Sequence, residues 1–487
     1  MNNWISIASI PLAVTKAPLG TLLTIGAFAA TGLIAWSYSH WRTAVKVAFI
    51  AVLFEGAIRK WILPQGEELV YFLKDVFLVG AYLKFYFSPD PDIRAYRLRI
   101  PGMVIFVLCA IVSLSALNPN INSILLSTYG LKIYFFYVPM AFMMPLLFKS
   151  EKEMVNQLTW YALIAIPICL LGFLQWKSDT FSILNTFAAG MDEKGATTFG
   201  FGDKARITGT FSYLTGHTTF VIFFSGLCIT LLSLKETPLK WLLLGVTLPM
   251  LVANALMGGS RASLITIAFI GGGFAIASMG GRIGSSKYFV RMLLIGTLAA
   301  AAGGAYMFTD AWQSWSLRYQ VSGDNIKQRV FDMQYEAVTK ALADGGLAGY
   351  GMGTAHPATD AIRQRLRMPA IKDKAPVYDS EVGQVMVELG IVGFLSWYTL
   401  RLMLVFLAWS SYRRSPPGAI RALSLAGVLI TTPYLLMSVV YNHTANFLVF
   451  GLGGFALIPL LEPTIQRRFA RGKPTQSPHA ATHRSGM

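Results

Sequence analysis

The chain has 487 residues, of which 54% are hydrophobic and only 13% charged, yet its formal net charge is +17. A mean hydropathy of +0.53 with so little charge excludes a disordered chain, a collagen-like chain and a small disulfide scaffold, and argues against a soluble multidomain enzyme. Diluted in apolar sequence, the positive charge reads as the basic loops of a polytopic membrane protein, with no nucleic-acid surface implied.

Apolar runs long enough to cross a bilayer core recur near 17–36, 43–62, 68–87, 100–117, 130–148, 156–175, 213–234, 239–257, 262–280, 289–308, 382–410, 420–440 and 445–462. They predict an all-α membrane protein of about 12–14 transmembrane helices, because open strands leave their backbone unsatisfied in lipid. The first run is too long for an ordinary signal-peptide core and lacks its charged flank, so it is expected to be a retained helix. Cys109, Cys169 and Cys228 each lie inside an apolar run and read as small buried hydrophobes. The six histidines show no metal-ligand spacing.

Basic residues fall on every second connection: Arg42 and Lys46, then Arg94, Arg97 and Arg99, then Lys149 and Lys152, then Lys235 and Lys240. The series continues with Arg282, Lys287 and Arg291, with Arg413, Arg414 and Arg421, and with the tail. The positive-inside rule puts these connections and the C-terminus in the cytoplasm. Residues 1–175, 213–308 and 382–462 then form transmembrane blocks. Residues 176–212 make a first external loop, 309–381 a large external loop between late helices, and 463–487 a disordered basic cytoplasmic tail. No convincing similarity links the two halves, and polar material gathers in the external loops, which favours chemistry at the outer face over alternating access.

The first external loop closes on Arg206-Ile207-Thr208-Gly209-Thr210-Phe211. The second carries an amphipathic pattern from about Asn325 to Leu342, ended by Gly345-Gly346. Gly349-Tyr350-Gly351-Met352-Gly353 follows, readable as a plain turn or as a contact to a diphosphate or sugar through backbone N–H groups. Arg363, Arg365 and Arg367 form a basic stretch before Pro369. Asp379 and Glu381 stand at the mouth of the next span, either as candidates for general-base work or as N-cap and first-turn acid. Within the apolar runs, Glu55 and Arg59 are spaced to pair along one helix, and Lys74 and Asp75 sit on the next, an expected ion-pair cluster between helices. Arg261, in Gly258-Gly259-Ser260-Arg261-Ala262-Ser263, is a guanidinium at an external mouth, well suited to a phosphate.

From about Arg206 to Gly393 these residues resemble the O-antigen ligase and O-antigen polymerase superfamily of bacterial surface-polysaccharide assembly. The resemblance rests on Arg206-x-x-Gly209-Thr210-Phe211, Ser260-Arg261-Ala262, Arg329 at the start of the loop helix, Gly351-x-Gly353 and Glu388-Leu389-Gly390-x-x-Gly393, in that order. Glu55-Gly56-Ala57-Ile58-Arg59-Lys60-Trp61 and Leu73-Lys74-Asp75 resemble a subset of exopolysaccharide polymerases more than ligases.

The resemblance implies a GT-C-like, metal-independent glycosyltransferase with no cofactor, in the bacterial inner (cytoplasmic) membrane. It implies polymerisation of repeat units linked to polyprenyl (undecaprenyl) diphosphate, alongside other assembly proteins such as a flippase and a chain-length regulator. Arg206, Arg261 and Arg329 would bind the diphosphate, and a nearby base would assist the acceptor hydroxyl. Ligases of the superfamily carry a His eleven residues before the Gly of the E-L-G motif. Here that position is Asp379, so the base role falls to Asp379, Glu381 or His356. The alternatives are a ligase that moves the glycan to lipid A core or protein, and, in another class, a transporter or flippase for the lipid-linked oligosaccharide.

Overall fold

The computed structural model describes residues 19–64, 67–186, 205–280, 333–365 and 374–461, together with residues 309, 313, 316 and 368. The first half contains α1 (Leu19–Ser39), α2 (Trp41–Ala57), α3 (Glu67–Tyr71), α4 (Leu73–Tyr82), α5 (Pro91–Arg94), α6 (Gly102–Leu114), α7 (Ile124–Phe135), α8 (Val138–Met143) and α9 (Glu151–Lys177). The second contains α10 (Leu214–Ser233), α11 (Lys240–Leu242), α12 (Leu248–Met257), α13 (Arg261–Met279), α14 (Met333–Gly345), α15 (Pro357–Arg365), α16 (Glu381–Arg414), α17 (Ala419–Thr431) and α18 (His443–Phe455). Among the described residues there is no β-strand beyond one isolated bridge, Leu98 to Leu461.

The expected apolar runs within the described residues are largely helical, except that the run 420–440 leaves the helix after Leu435; the run 289–308, the tail 463–487 and residues 325–332 of the amphipathic pattern lie outside the described residues. Among the described residues, six helical stretches are long and apolar enough to cross a membrane: Ile124–Leu146, Glu151–Lys177, Leu214–Ser233, Lys240–Met257, Arg261–Met279 and Glu381–Arg414. Local chemistry sets their ends. Ser150 caps α9 by accepting from the Glu153 N–H, Ser380 caps α16 through the Gly383 N–H, and Asn442 caps α18 through the Ala445 N–H.

The span expected at 382–410 is present as Glu381–Arg414, with a break inside it at Gly390. Gly390 breaks α16 with φ 64° and ψ −179°, a region open essentially to glycine alone. The break frees backbone groups that a straight helix would pair internally, and the second loop satisfies them. Tyr350 N–H donates to the Val387 carbonyl, Gly351 N–H to the Glu388 carbonyl, and Ile391 N–H to the Gly346 carbonyl.

Helix α10 is the axis of the bundle, packing against α9, α12, α13, α17 and α18. It is 83% buried over its apolar window, against 28% over the apolar window of α16, so α10 is wrapped by protein while that stretch of α16 is only partly covered. Cys169 and Cys228 are buried as small hydrophobes, and Cys109 is half-buried. Several of the basic connections meet one another. Lys46 pairs with Glu153 at 2.7 Å, Arg42 donates to the Leu146 carbonyl, Glu151 accepts from the Ala419 N–H, and Arg99 N–H donates to the Leu460 carbonyl.

Candidate functional site

The segment 205–212 is an irregular loop buried in protein, with Ile207 and Phe211 inaccessible and Thr208, Thr210 and Ser212 nearly so. Buried backbone of this kind needs partners for its polar groups. Gln175 of α9 supplies several: its Oε1 accepts from the N–H groups of Thr208 (3.1 Å) and Gly209 (2.7 Å), and its Nε2 donates to the Gly209 carbonyl at 3.1 Å. Lys60 Nζ donates to the same carbonyl at 2.8 Å and to Thr208 Oγ1 at 3.1 Å. Arg59 Nη1 donates to Ser212 Oγ at 3.0 Å, and the Thr210 hydroxyl to the Leu53 carbonyl. The Glu55–Trp61 motif is thus the cradle of the Arg206–Phe211 motif.

Arg206 leaves this loop with its Nε donating to the Gly258 carbonyl at 2.8 Å. Gly258 belongs to the turn that ends at Ser260, the N-cap of α13, and Arg261 is the first residue of that helix. Two predicted phosphate ligands are therefore tied to one turn, and both are half-buried. Arg329, the third, lies outside the described residues. His217, on the first turn of α10, sits under the same loop with its ring against Phe211 and Phe220, and neither ring nitrogen has a hydrogen-bond partner in the structure.

The expected intramembrane ion-pair cluster forms, and it closes across helices. Lys74 donates to Glu55 at 2.8 Å, His443 Nε2 lies 2.5 Å from the other Glu55 oxygen, and Lys132 meets Asp75 at 3.0 Å. Tyr137 also donates to Asp75, at 2.6 Å. Tyr71 is the hub: Lys132 stands 4.4 Å, Lys74 4.6 Å and Arg59 5.5 Å from its ring centroid, and the His443 ring 4.9 Å away.

The glycine-rich segment resolves as packing. A Cβ on Gly349 would stand 2.4 Å from the Glu388 carbonyl oxygen, and the Met352 carbonyl presses on Gly130 of α7. Its N–H groups are used inside the protein: besides Tyr350 and Gly351, Met352 donates to the Ser115 carbonyl and Ala355 to Glu388 Oε1. The geometry favours the plain turn over the anion contact. Glu388, fully buried, accepts from Tyr134 at 2.7 Å and so locks α7, α16 and this loop together.

That lock delivers His356 to the Tyr129 hydroxyl, 3.3 Å from Nδ1, with the Tyr441 ring 5.6 Å away. Burial, with Lys132 and His443 nearby, holds the His356 imidazole down to about 3, so it is neutral at physiological pH. Asp379 is exposed on the approach to α16. Glu381 is turned inward instead: its carboxylate accepts from Arg401 (2.8 Å), Ser438 (3.2 Å) and the N–H groups of Val439 and Val440. Of the three candidate bases, Asp379 is exposed, His356 is half-buried against Tyr129 and Tyr441, and Glu381 holds helices together. Arg363 is also drawn into structure, donating to the Ile121 carbonyl at 3.4 Å.

Sequence reasoning missed Lys60, Tyr71, Tyr129, Lys132, His217 and His443 as site residues. Lys132 carried a usable signal, being a cation inside the apolar run 130–148. No protein-family model matches this chain, and no curated protein matches it.

Proposed function

We propose that the chain is a membrane glycosyltransferase that polymerises polyprenyl-diphosphate-linked oligosaccharide repeat units at the outer face of a bacterial inner membrane. The observation that carries this reading is the tie from Arg206 to the Gly258 carbonyl, which fixes one guanidinium beside the turn that starts α13 at Arg261. As the glycosidic bond to the carrier breaks, negative charge grows on the leaving lipid diphosphate. Cations already fixed in place stabilise that charge without reorganising during the reaction. Arg206, held by a buried loop with its own hydrogen-bond cradle, meets that requirement. The acceptor hydroxyl needs a proton acceptor as it attacks. Asp379, exposed before α16, is available for it; His356, next to Tyr129, is neutral, but an imidazole held down to about 3 is a weak proton acceptor. The alternation of basic connections along the sequence supports placing this site on the outer face.

The test is genetic and direct. In cells lacking the chromosomal gene, Arg206→Ala and Arg261→Ala are each expected to yield single repeat units in place of long polymer. Full-length polymer from both variants overturns the reading. Deletion that leaves long carrier-linked chains assigns a ligase instead, and deletion that traps the lipid-linked unit on the cytoplasmic leaflet assigns a flippase. With arginines supplying the positive charge, purified protein is expected to keep its activity after divalent cations are removed with a chelator.

A further inference from the structure

The hydroxyl that attacks the carrier-linked sugar must give up its proton, and the bundle holds one further group built to take it. His443 is the first residue of α18, with Asn442 as its cap. Asn442 Nδ2 donates to the Thr215 carbonyl at 3.1 Å and to Thr219 Oγ1 at 3.0 Å, which pins this helix start to the first turns of α10, just after the buried loop. The loop reaches the histidine by a second route. Ser212 accepts from Arg59, Arg59 lies 5.5 Å from the Tyr71 ring centroid, and the His443 ring stands 4.9 Å from the same ring. His443 is thus tied twice to the loop that carries Arg206.

His443 Nε2 lies 2.5 Å from Glu55 Oε1. A carboxylate only accepts, and two lone pairs would repel at that distance, so Nε2 carries the hydrogen and Nδ1 the lone pair. Glu55 is itself fixed, because its other oxygen accepts from Lys74 at 2.8 Å and the two side chains are sealed, with 2% and 0% exposure. His443 keeps 26%. Both ring nitrogens of His217 are enclosed by comparison. A buried carboxylate that sets the tautomer and direction of a partly exposed imidazole, and that stabilises the imidazolium when it forms, is the arrangement of an oriented general base.

We propose that His443 is the catalytic base for the acceptor hydroxyl, with Glu55 as its positioning residue. The proposal rests on the reading of the chain as a glycan polymerase and adds the proton acceptor to it. As the acceptor oxygen bonds to the anomeric carbon, its proton passes to His443 Nδ1. The bond from that carbon to the carrier breaks, and its electron pair leaves on the diphosphate oxygen. The imidazolium rests against Glu55 until its proton returns to water. The groups facing the ring are Glu55 of α2, Tyr71 of α3, Lys74 of α4, Lys132 of α7 and His356. Glu55 favours the imidazolium while Lys74 and Lys132 oppose it, a balance suited to a base that must release its proton after each turnover.

The full-length protein in lipid nanodiscs is assayed with the carrier-linked repeat unit that accumulates in cells lacking the gene. The wild-type rate is expected to fall as pH is lowered through the titration of an imidazole. His443→Gln and His443→Ala are each expected to lose about a hundredfold or more in kcat, at nearly unchanged KM and melting temperature, and to lose that acid limb. Free imidazole is expected to restore turnover to His443→Ala. Glu55→Asp keeps the charge that Lys74 needs but withdraws the carboxylate, so kcat is expected to fall and the acid limb to move to lower pH. His443 variants within about threefold of wild-type kcat overturn the proposal, as does a lost activity that imidazole fails to restore. An unchanged kcat and acid limb in Glu55→Asp overturn the dyad, and an acid limb abolished by Asp379→Asn while His443→Gln stays active moves the role to Asp379. A wild-type protein inactive on this substrate overturns the polymerase reading itself, so the two failures are distinct.

Discussion

Gly56 of α2 and Ser212 of the buried loop meet backbone to backbone: a Cβ on Gly56 would stand 2.4 Å from the Ser212 nitrogen and 2.5 Å from the Thr210 carbonyl oxygen. Both obstacles are main chain, so neither can rotate away. Gly56→Ala is therefore expected to push the loop off α2 and stretch the Lys60 and Arg59 hydrogen bonds that hold it. Overpacking of this kind costs about 1–3 kcal/mol, and the upper end applies where backbone must move. The expected result is a lower melting temperature for the purified protein and shortened glycan chains. A variant with wild-type melting and wild-type chains would show that the loop is not seated on Gly56.

Glu381 separates a structural carboxylate from a catalytic one. Its four acceptor contacts include the buried Arg401 at 2.8 Å. Removing one member of a buried ion pair costs about 3–5 kcal/mol, much of it from the charge left behind. Glu381→Gln and Arg401→Met are each expected to lower thermal stability and folded yield. The double variant is expected to lose less than the two singles together, because both report one interaction. A Glu381→Gln protein with unchanged melting and no turnover would restore Glu381 as the base.

The sequence was most legible where a signal repeats. Apolar runs located the long helices within the described residues, because the bilayer demands some twenty apolar residues at each crossing, but not the short helices Pro91–Arg94 and Pro357–Arg365. The alternation of basic loops put Lys46 and Lys149 on one side, and the structure brings both to Glu153. Single-residue partnerships were less legible. Glu55 and Arg59 are spaced to pair along one helix, yet Glu55 takes Lys74 and His443 from other helices, a choice that depends on tertiary packing. Gly390 was read as part of one span because composition alone does not reveal a positive φ. Glu388 was seen only as a motif letter, and its role emerges once Tyr134 and the Ala355 N–H arrive from distant segments.

The depressed pKa of His356 predicts a pH dependence with a definite sign. In the unfolded chain an imidazole titrates near 6.5, while in the folded protein burial holds this one down to about 3. Between those values the unfolded state binds more protons, so stability rises with pH. The contribution of His356 is complete above pH ~6.5 and is lost progressively as pH falls toward ~3. Melting temperature measured from pH 7 downward is expected to drop more steeply in the wild type than in His356→Gln. Parallel curves for the two proteins would mean that His356 takes up its proton equally well folded and unfolded.

The break in α16 yields a comparison between two neighbouring glycines. Gly346 and Gly349 both have positive φ, 56° and 70°, but a Cβ on Gly346 meets nothing within 4 Å. A Cβ on Gly349 would meet the Glu388 carbonyl oxygen and the Gly390 nitrogen, each at 2.4 Å. Asparagine tolerates the left-handed region better than other residues with a side chain. Gly346→Asn is thus expected to fold with little change, since only backbone preference is at stake. Gly349→Asn is expected to separate the loop from α16, expose the Val387 and Glu388 carbonyls that Tyr350 and Gly351 now satisfy, and loosen His356. Limited proteolysis reads the difference: cleavage between 346 and 356 is expected to accelerate in Gly349→Asn and stay at the wild-type rate in Gly346→Asn. Equal rates in the two variants would show that positive φ alone, and not the close approach to Gly390, explains these glycines.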